Sequence, residues 1–260
     1  MVKGFDKFKQ YFAPHSDSFI VIGGTAMQLH GREGGPVPRA TQDIDILVIV
    51  EQMSDPFTSA FHAFLREGRY DCYIAKEPDG SNKPRFYRFI NPENTAFPTR
   101  IELLSSPALP PPEGMLYMSL PDEPDDSMSA IVLDRTYYDF ARANTVAINE
   151  IPCLNRDALM VFKSVAYLNL MDEYERTGNR LRHHDSKKHR RDVLALAAHI
   201  LLVSPSARLG CDSRVIAIHY ASFLCDPIDF MRLICDNTYV FVEEHCTLKW
   251  RRNAAAHCVH

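Results

Sequence analysis

Two aspartates, Asp43 and Asp45, lie two residues apart at the start of the apolar stretch "DIDILVIV". In a β-strand, residues i and i+2 point to the same face and stand about 7 Å apart. Carboxylates held in this way repel each other unless a cation lies between them, and hard divalent ions such as Mg²⁺ prefer oxygen ligands. The spacing therefore predicts a Mg²⁺ site, with room for a pair of ions roughly 3.5–4 Å apart. The alternative is that the two aspartates merely begin a strand near solvent.

Two neighbouring segments favour the metal site. Gly23, Gly24 and Thr25 follow the apolar strand "SFIVI" and open a helix, and a helix N-terminus presents free backbone N–H groups to phosphate oxygens. Glu102 stands inside the apolar strand "RIELLSS", either as an edge residue or as a third metal ligand. Arg39, just before the aspartates, is placed to contact a further phosphate. Carboxylates on neighbouring strands beside a phosphate-binding turn predict metal-assisted phosphoryl or nucleotidyl transfer.

The second half of the chain supplies further charged candidates on helices. Lys163 shares a helical stripe with Leu159 and Ala166, so it faces inward. Its ammonium either reaches water at the edge of the core or neutralises a triphosphate. Asp192 lies one turn after Lys188, and either forms a local salt bridge with it or orients Lys163 or Lys188 in the site.

The basic run "RTGNRLRHHDSKKHRR" is the strongest local charge feature of a chain whose net charge is −4. Runs of this kind form either a solvated face or a patch that contacts the phosphates of a nucleic acid such as RNA. A polyanion would therefore bind to this basic patch and not to the whole protein surface.

These residues need a scaffold that combines strands and helices. The first hundred or so residues alternate short apolar strands with helices, a pattern typical of a mixed β-sheet. A proline-rich stretch follows, and the remainder is helical, including two long helices that start near Asn155 and Asp185. We predict an α+β fold with three parts: an α/β core over 1–110, a connecting region over 111–150 and a helical domain over 151–260.

Composition narrows the class of protein. The 260 residues are 46% hydrophobic and 24% charged, which is typical of a globular chain with one large domain or two modest ones. Seven scattered cysteines without a CxxC pair, and no signal peptide, predict a reducing cytoplasmic setting without disulfides. Apolar runs such as "ILVIV" are far shorter than the ~20 residues that span a bilayer, so we expect no membrane segment.

Several of these motifs together resemble a known group of enzymes. The segments "GGTAMQLHG", "RATQDIDILV" and "RIELLS" resemble the core of the polymerase-β-type nucleotidyltransferase superfamily, in which Asp is common at the position of Glu102. The R-x-T-x-D-x-D form and the later "DALMVFKSVAYL" and "DSKKHRRDVLAL" resemble the AbiEii-type nucleotidyltransferases, whose members include toxins of type IV toxin–antitoxin systems. The resemblance covers roughly residues 19 to 200 and implies that Lys163 and Asp192 belong to the active site.

The resulting functional hypothesis is an enzyme that moves a nucleotidyl group from a nucleoside triphosphate to an acceptor hydroxyl with the help of Mg²⁺. The resemblance implies the 3′ end of tRNA as the acceptor and a cognate antitoxin as a partner. Two alternatives stay open. One is a nucleotidyltransferase with a small-molecule acceptor, against which the basic run argues. The other is a catalytically silent nucleotide-binding regulator, which the intact pair of aspartates disfavours.

Overall fold

The computed structural model describes residues 1–36, 38–76, 82–106, 117–119 and 129–203. The chain divides into two compact units, Met1–Leu159 and Met160–His260. The part of the predicted helical domain that follows residue 203 lies outside the described residues. The domain limits predicted at residues 110 and 150 stay predictions.

A mixed β-sheet forms the centre of the first unit, as the sequence predicts. Its strands are β1 (Phe19–Ile22), β2 (Asp43–Val48), β3 (Asp71–Lys76), β4 (Asn82–Ile90), β5 (Arg100–Ser105), β6 (Tyr117–Ser119), β7 (Ser129–Val132), β8 (Thr145–Ile148) and β9 (Ile151–Leu154). The main strand order is β3-β4-β5-β2-β1-β9-β8, with β7 paired to β5 and β6 paired to β7. Three pairs, β1–β9, β2–β5 and β5–β7, are parallel, and the others are antiparallel. The fold class is therefore α+β.

Among the described residues of the first unit are the α-helices α1 (Phe5–Phe12), α2 (Gly23–Arg32), α3 (Asp55–Gly68) and α4 (Arg135–Ala143). The start of α3 matches its sequence signals, because Pro56 occupies the first turn and the Ser54 hydroxyl accepts a hydrogen bond from the Phe57 N–H at 3.4 Å. Helix α1 and the hairpin of β8 and β9 are elements that the sequence patterns did not indicate. The hairpin strands are only four residues long, and Pro152 within β9 weakens the strand signal of that segment.

An aromatic layer packs α1 and α3 against β1. Its members are fully buried phenylalanines: Phe8, Phe12, Phe19, Phe57, Phe61 and Phe64. Their rings touch directly, with the centroids of Phe8 and Phe12 4.7 Å apart. Burying each such side chain stabilises the fold by about 2 kcal/mol. The layer anchors the strand that leads into Gly23 and so gives the candidate site a rigid base.

Two long helices, α5 (Arg156–Thr177) and α6 (Arg180–Val203), follow β9, and α5 begins just before the boundary between the units. The predicted N-cap of α5 is confirmed, because the Asn155 side chain accepts a hydrogen bond from the Ala158 N–H at 2.8 Å. Gly178 follows the last residue of α5 with a φ of +68°, which is the backbone conformation of a glycine stop. Within the described part of the chain, no helix combines the length and apolar character that a membrane span requires.

Candidate functional site

The two aspartates stand on one face of β2, as their spacing predicts. The residues between and after them, Ile44 and Ile46, are completely buried, whereas Asp43 keeps about a third of its side chain exposed. Strand β5 lies parallel to β2, with Asp45 directly beside Glu102 and Asp43 directly beside Arg100. The structure therefore brings Glu102 next to the aspartate pair.

Helix α2 begins against the same carboxylates. Gly23 has a φ of +66°, and a Cβ placed on it would lie only 2.3 Å from Asp45 Oδ2. A Cβ on Gly24 would lie 2.9 Å from the side chain of Thr41, in the segment that leads into β2. Only glycines allow the helix N-terminus to approach β2 this closely. The first turn of α2, whose N–H groups have no acceptor within the helix itself, thus opens beside Asp45.

Thr25 and Arg39, two further predicted phosphate contacts, form hydrogen bonds within the protein, as does His30 on the same helix as Thr25. The buried Thr25 hydroxyl donates a hydrogen bond to the Asp43 carbonyl oxygen at 2.7 Å, which ties α2 to the start of β2. His30, near the end of α2, places its Nε2 2.8 Å from the Leu154 carbonyl oxygen and ties the helix to β9. Arg39 is exposed, and its Nη1 donates to the neighbouring Ala40 carbonyl oxygen at 3.3 Å. For Thr25, the backbone N–H and not the hydroxyl is the group suited to a phosphate.

Two arginines surround Glu102. Arg88, its cross-strand neighbour on β4, places Nε 2.8 Å from Oε1 and donates from Nη2 to Oε2 at 3.4 Å. Arg100 donates from Nη1 to Glu102 Oε1 at 3.4 Å, and its Nε lies 3.4 Å from Asp43 Oδ1. The Arg88 guanidinium also lies 4.9 Å from the centre of the Tyr73 ring, a cation–π distance. Glu102 and Asp43 are therefore already paired with positive charge.

In the second unit, Lys163 and Asp192 form a buried ion pair. Lys163 Nζ lies 2.8 Å from Asp192 Oδ2, and only 5% and 4% of the two side chains are exposed. The prediction that Lys163 faces inward is confirmed, and the alternative of an ammonium in water is wrong, because the charge is buried. Lys188 donates to Asp185 Oδ1 at 2.7 Å, and this hydrogen bond lowers the pKa of the Asp185 carboxyl group. The buried charge of Lys163 is tolerated because the Asp192 carboxylate is paired with it.

The basic run covers the end of α5 and the first three turns of α6. Most of its cationic side chains are exposed: Arg176, Arg180, Lys187, Arg190 and Arg191. Arg182 is half-buried, and its Nε donates to Glu173 Oε1 at 2.9 Å. His183 stacks on Tyr174 with ring centroids 4.9 Å apart. The free surface of the run is thus a set of solvated cations, while Arg182 and His183 hold the two helices together.

Comparison with known proteins assigns the chain to a family. The family model described as the nucleotidyl transferase AbiEii toxin of type IV toxin–antitoxin systems matches residues 9–209. This chain is an AbiEii-family nucleotidyltransferase. Among solved structures it is similar to an antigenic nucleotidyltransferase-like protein from Paracoccidioides brasiliensis, with 16% identity, a TM-score of 0.37, and coverage of 88% of this chain and 93% of that chain. A comparison with curated proteins finds no match.

The donors of this AbiEii-family chain fit a magnesium ion in part. Mg²⁺ binds through one or two carboxylates and completes its shell with water and substrate phosphates, which suits Asp43 and Asp45 beside the helix N-terminus. Among the described residues, no group of three or more His, Cys, Asp or Glu side chains is arranged to hold a metal ion. Glu102 can join the aspartates in binding an ion only if Arg100, which contacts both Asp43 and Glu102, moves. Sequence reasoning missed Arg88 and Arg100, although Arg100 lies two residues before Glu102 and so on the same face of β5.

Proposed function

We propose that this AbiEii-family protein transfers a nucleotidyl group from a nucleoside triphosphate to an acceptor hydroxyl in a Mg²⁺-dependent reaction. The observation that carries the proposal is the close approach of Gly23 to Asp45, which sets a helix N-terminus beside two carboxylates on one strand face. A phosphate-binding turn and oxygen ligands for a cation are the two parts that phosphoryl-type transfer requires.

Each residue has a defined task in this proposal. Asp43 and Asp45 hold the Mg²⁺ ions, which supply positive charge where the triphosphate develops negative charge. Glu102 is the third carboxylate, as a further ligand or as the acceptor of the hydroxyl proton. The backbone N–H groups of Gly23, Gly24 and Thr25 bind the β- and γ-phosphates. The acceptor oxygen forms a bond to the α-phosphorus, the bond from that phosphorus to the β-phosphate breaks, and pyrophosphate leaves.

Lys163 is the proposed counter-charge for the β- and γ-phosphates, with Asp192 as the residue that holds its ammonium in place. The buried ion pair supports this assignment, because the Asp192 carboxylate stabilises the buried Lys163 ammonium and fixes its position. Arg39 and Lys188 are further proposed nucleotide contacts. Both retain considerable exposure and can reorient at small cost.

For the acceptor we propose RNA, specifically the 3′ end of tRNA, and for a protein partner a cognate antitoxin. The family to which the chain belongs supports the antitoxin, since its model describes toxins of toxin–antitoxin systems. The exposed cations of the basic run support RNA, because phosphate contacts supply most of the affinity of nucleic-acid binding.

The experiment that tests the function combines purified protein with each of four labelled nucleoside triphosphates, Mg²⁺ and total RNA. Transfer of label to RNA and release of pyrophosphate are measured for the wild type and for the double variant Asp43→Asn/Asp45→Asn. We expect the variant to lose ~100-fold or more of the rate, the usual cost of removing preorganised electrostatic contacts to a transition state.

The matched control removes two exposed aspartates of the same unit, Asp17→Asn/Asp71→Asn, and should transfer at the wild-type rate. Both double variants should melt near the wild-type temperature, because the substitution preserves shape. Near wild-type transfer by Asp43→Asn/Asp45→Asn would show that the site is elsewhere. Label found only in a small-molecule fraction would show that the acceptor is a small molecule and not RNA.

A further inference from the structure

Arg100 contacts two carboxylates of the candidate site at once. Its Nε lies 3.4 Å from Asp43 Oδ1 on β2, and its Nη1 donates to Glu102 Oε1 at 3.4 Å on its own strand. Its position in the sheet explains this geometry, because Arg100 is the direct neighbour of Asp43 across the parallel pair and shares a face with Glu102. The guanidinium therefore bridges β2 and β5 through the oxygens that a cation at this site would need.

Arg88 and Arg100 are not equivalent. Arg88 approaches Glu102 to 2.8 Å, packs over Tyr73 and has 30% of its side chain exposed. Arg100 makes two longer contacts and has 41% of its side chain exposed. Exposed ion pairs of this length contribute little and are readily exchanged. Of the two arginines, Arg100 is the one that can leave the carboxylates at low cost.

We propose that Arg100 is a built-in competitor of the divalent cation for Asp43 and Glu102, and that cation binding releases it. The inference rests on the proposed function, since the cation site is the one described above. Exchange of a guanidinium for a monovalent ion leaves the charge of the cluster unchanged, whereas exchange for a divalent ion adds one positive charge. Arg100 thus makes the carboxylates selective for divalent ions.

The first test measures Mn²⁺ affinity by isothermal titration without nucleotide. Arg100→Gln should bind Mn²⁺ about fivefold more tightly than the wild type, the scale of partly exposed ion pairs that no longer compete. Arg100→Lys keeps the charge and should lie near the wild type. The control Arg69→Gln removes an arginine from an exposed pair with Glu93, at 2.9 Å, that shares no atom with the site, and its affinity should not change.

The second test observes Arg100 directly in the full-length protein. Its side-chain Nε–H signal in an NMR spectrum is assigned by its loss in Arg100→Lys. Addition of Mg²⁺ should shift this signal in the wild type and leave it in place in Asp43→Asn/Asp45→Asn. The measurement needs no Arg100→Gln protein, so it decides the question even if that variant does not fold.

The metal site and the competition by Arg100 can fail separately. Wild-type affinity for Mn²⁺ that equals the affinity of Asp43→Asn/Asp45→Asn would overturn the metal site and the competition together. Normal Mn²⁺ binding that depends on the aspartates, with an unchanged affinity in Arg100→Gln and an unmoved Arg100 signal, would overturn the competition alone and leave the proposed function intact.

Discussion

The substitution Gly23→Ala probes the contact between α2 and Asp45. The new methyl group would lie 2.3 Å from Asp45 Oδ2, whereas non-bonded atoms of this kind prefer about 3.5 Å. The carboxylate oxygen is the movable end of a side chain, so it would retreat by about 1 Å, and a misplacement of this size costs on the order of 100-fold in rate. We therefore expect Gly23→Ala to lose ~100-fold in nucleotidyl transfer and to bind Mn²⁺ more weakly.

The chain offers a matched control for the backbone cost of this change. Gly34 has a φ of +75°, and a Cβ placed on it meets nothing within 4 Å. Both substitutions therefore carry the same penalty of about 1–2 kcal/mol for a left-handed backbone with a side chain. Each should lower the melting temperature by about 2–8 °C. Only Gly23→Ala should lose activity beyond what its lower stability explains.

The assay compares the transfer rates of Gly23→Ala and Gly34→Ala at a temperature where both are fully folded. A rate loss confined to Gly23→Ala supports the contact with Asp45 as a catalytic requirement. Equal rates in the two variants would refute the reasoning, because the Asp45 carboxylate would then tolerate displacement.

Three other perturbations probe the second unit and the acidic groups. Lys163→Met leaves the buried Asp192 carboxylate without the Lys163 ammonium and should lower the free energy of unfolding by ~3 kcal/mol. In denaturant titrations, Lys163→Met/Asp192→Leu should recover this stability without recovering the use of nucleotide. Recovered activity in the double variant would show that Lys163 does not contact the phosphates. Charge reversal of the exposed cations in the basic run should reduce the slope of log RNA affinity against log salt concentration. The reduction should be ~0.7–0.9 for each RNA phosphate that is no longer bound. An unchanged slope would exclude this surface as the RNA-binding face. Burial raises the pKa of Glu51, but the Tyr138 hydrogen bond and the nearby Arg135 and Arg142 outweigh it and hold this pKa below its ordinary value of 4.5. The ionised Glu51 carboxylate therefore stabilises the fold fully above pH 4.5, and this stabilisation is lost as the pH falls further. In a plot of unfolding free energy against pH, Glu51→Gln should reduce the slope on the acid side. An unaltered slope would contradict the role given to Glu51.

Local patterns determined the elements and the residue types of the candidate site. The period of two in a strand placed Asp43 and Asp45 on one face, and the residues between and after them are buried as expected. The start of α5 at Asn155 was predicted, because an N-cap depends only on adjacent residues, whereas α6 begins at Arg180 and not at the predicted Asp185. These features, together with the motif spacing, also sufficed to identify the family.

Tertiary structure decided which charges meet. Arg88 reaches Glu102 because β4 pairs with β5 in a register that no local pattern encodes, and together with Arg100 it surrounds a predicted metal ligand with positive charge. The sequence left open whether Asp192 pairs with Lys188 or lies against Lys163, and the structure pairs it with Lys163 on α5, the preceding long helix. The physical reason is the same in both cases. A buried or half-buried charge takes whichever opposite charge the packing brings within about 3 Å, and that neighbour is set by the order of strands and the docking of helices, not by distance along the chain.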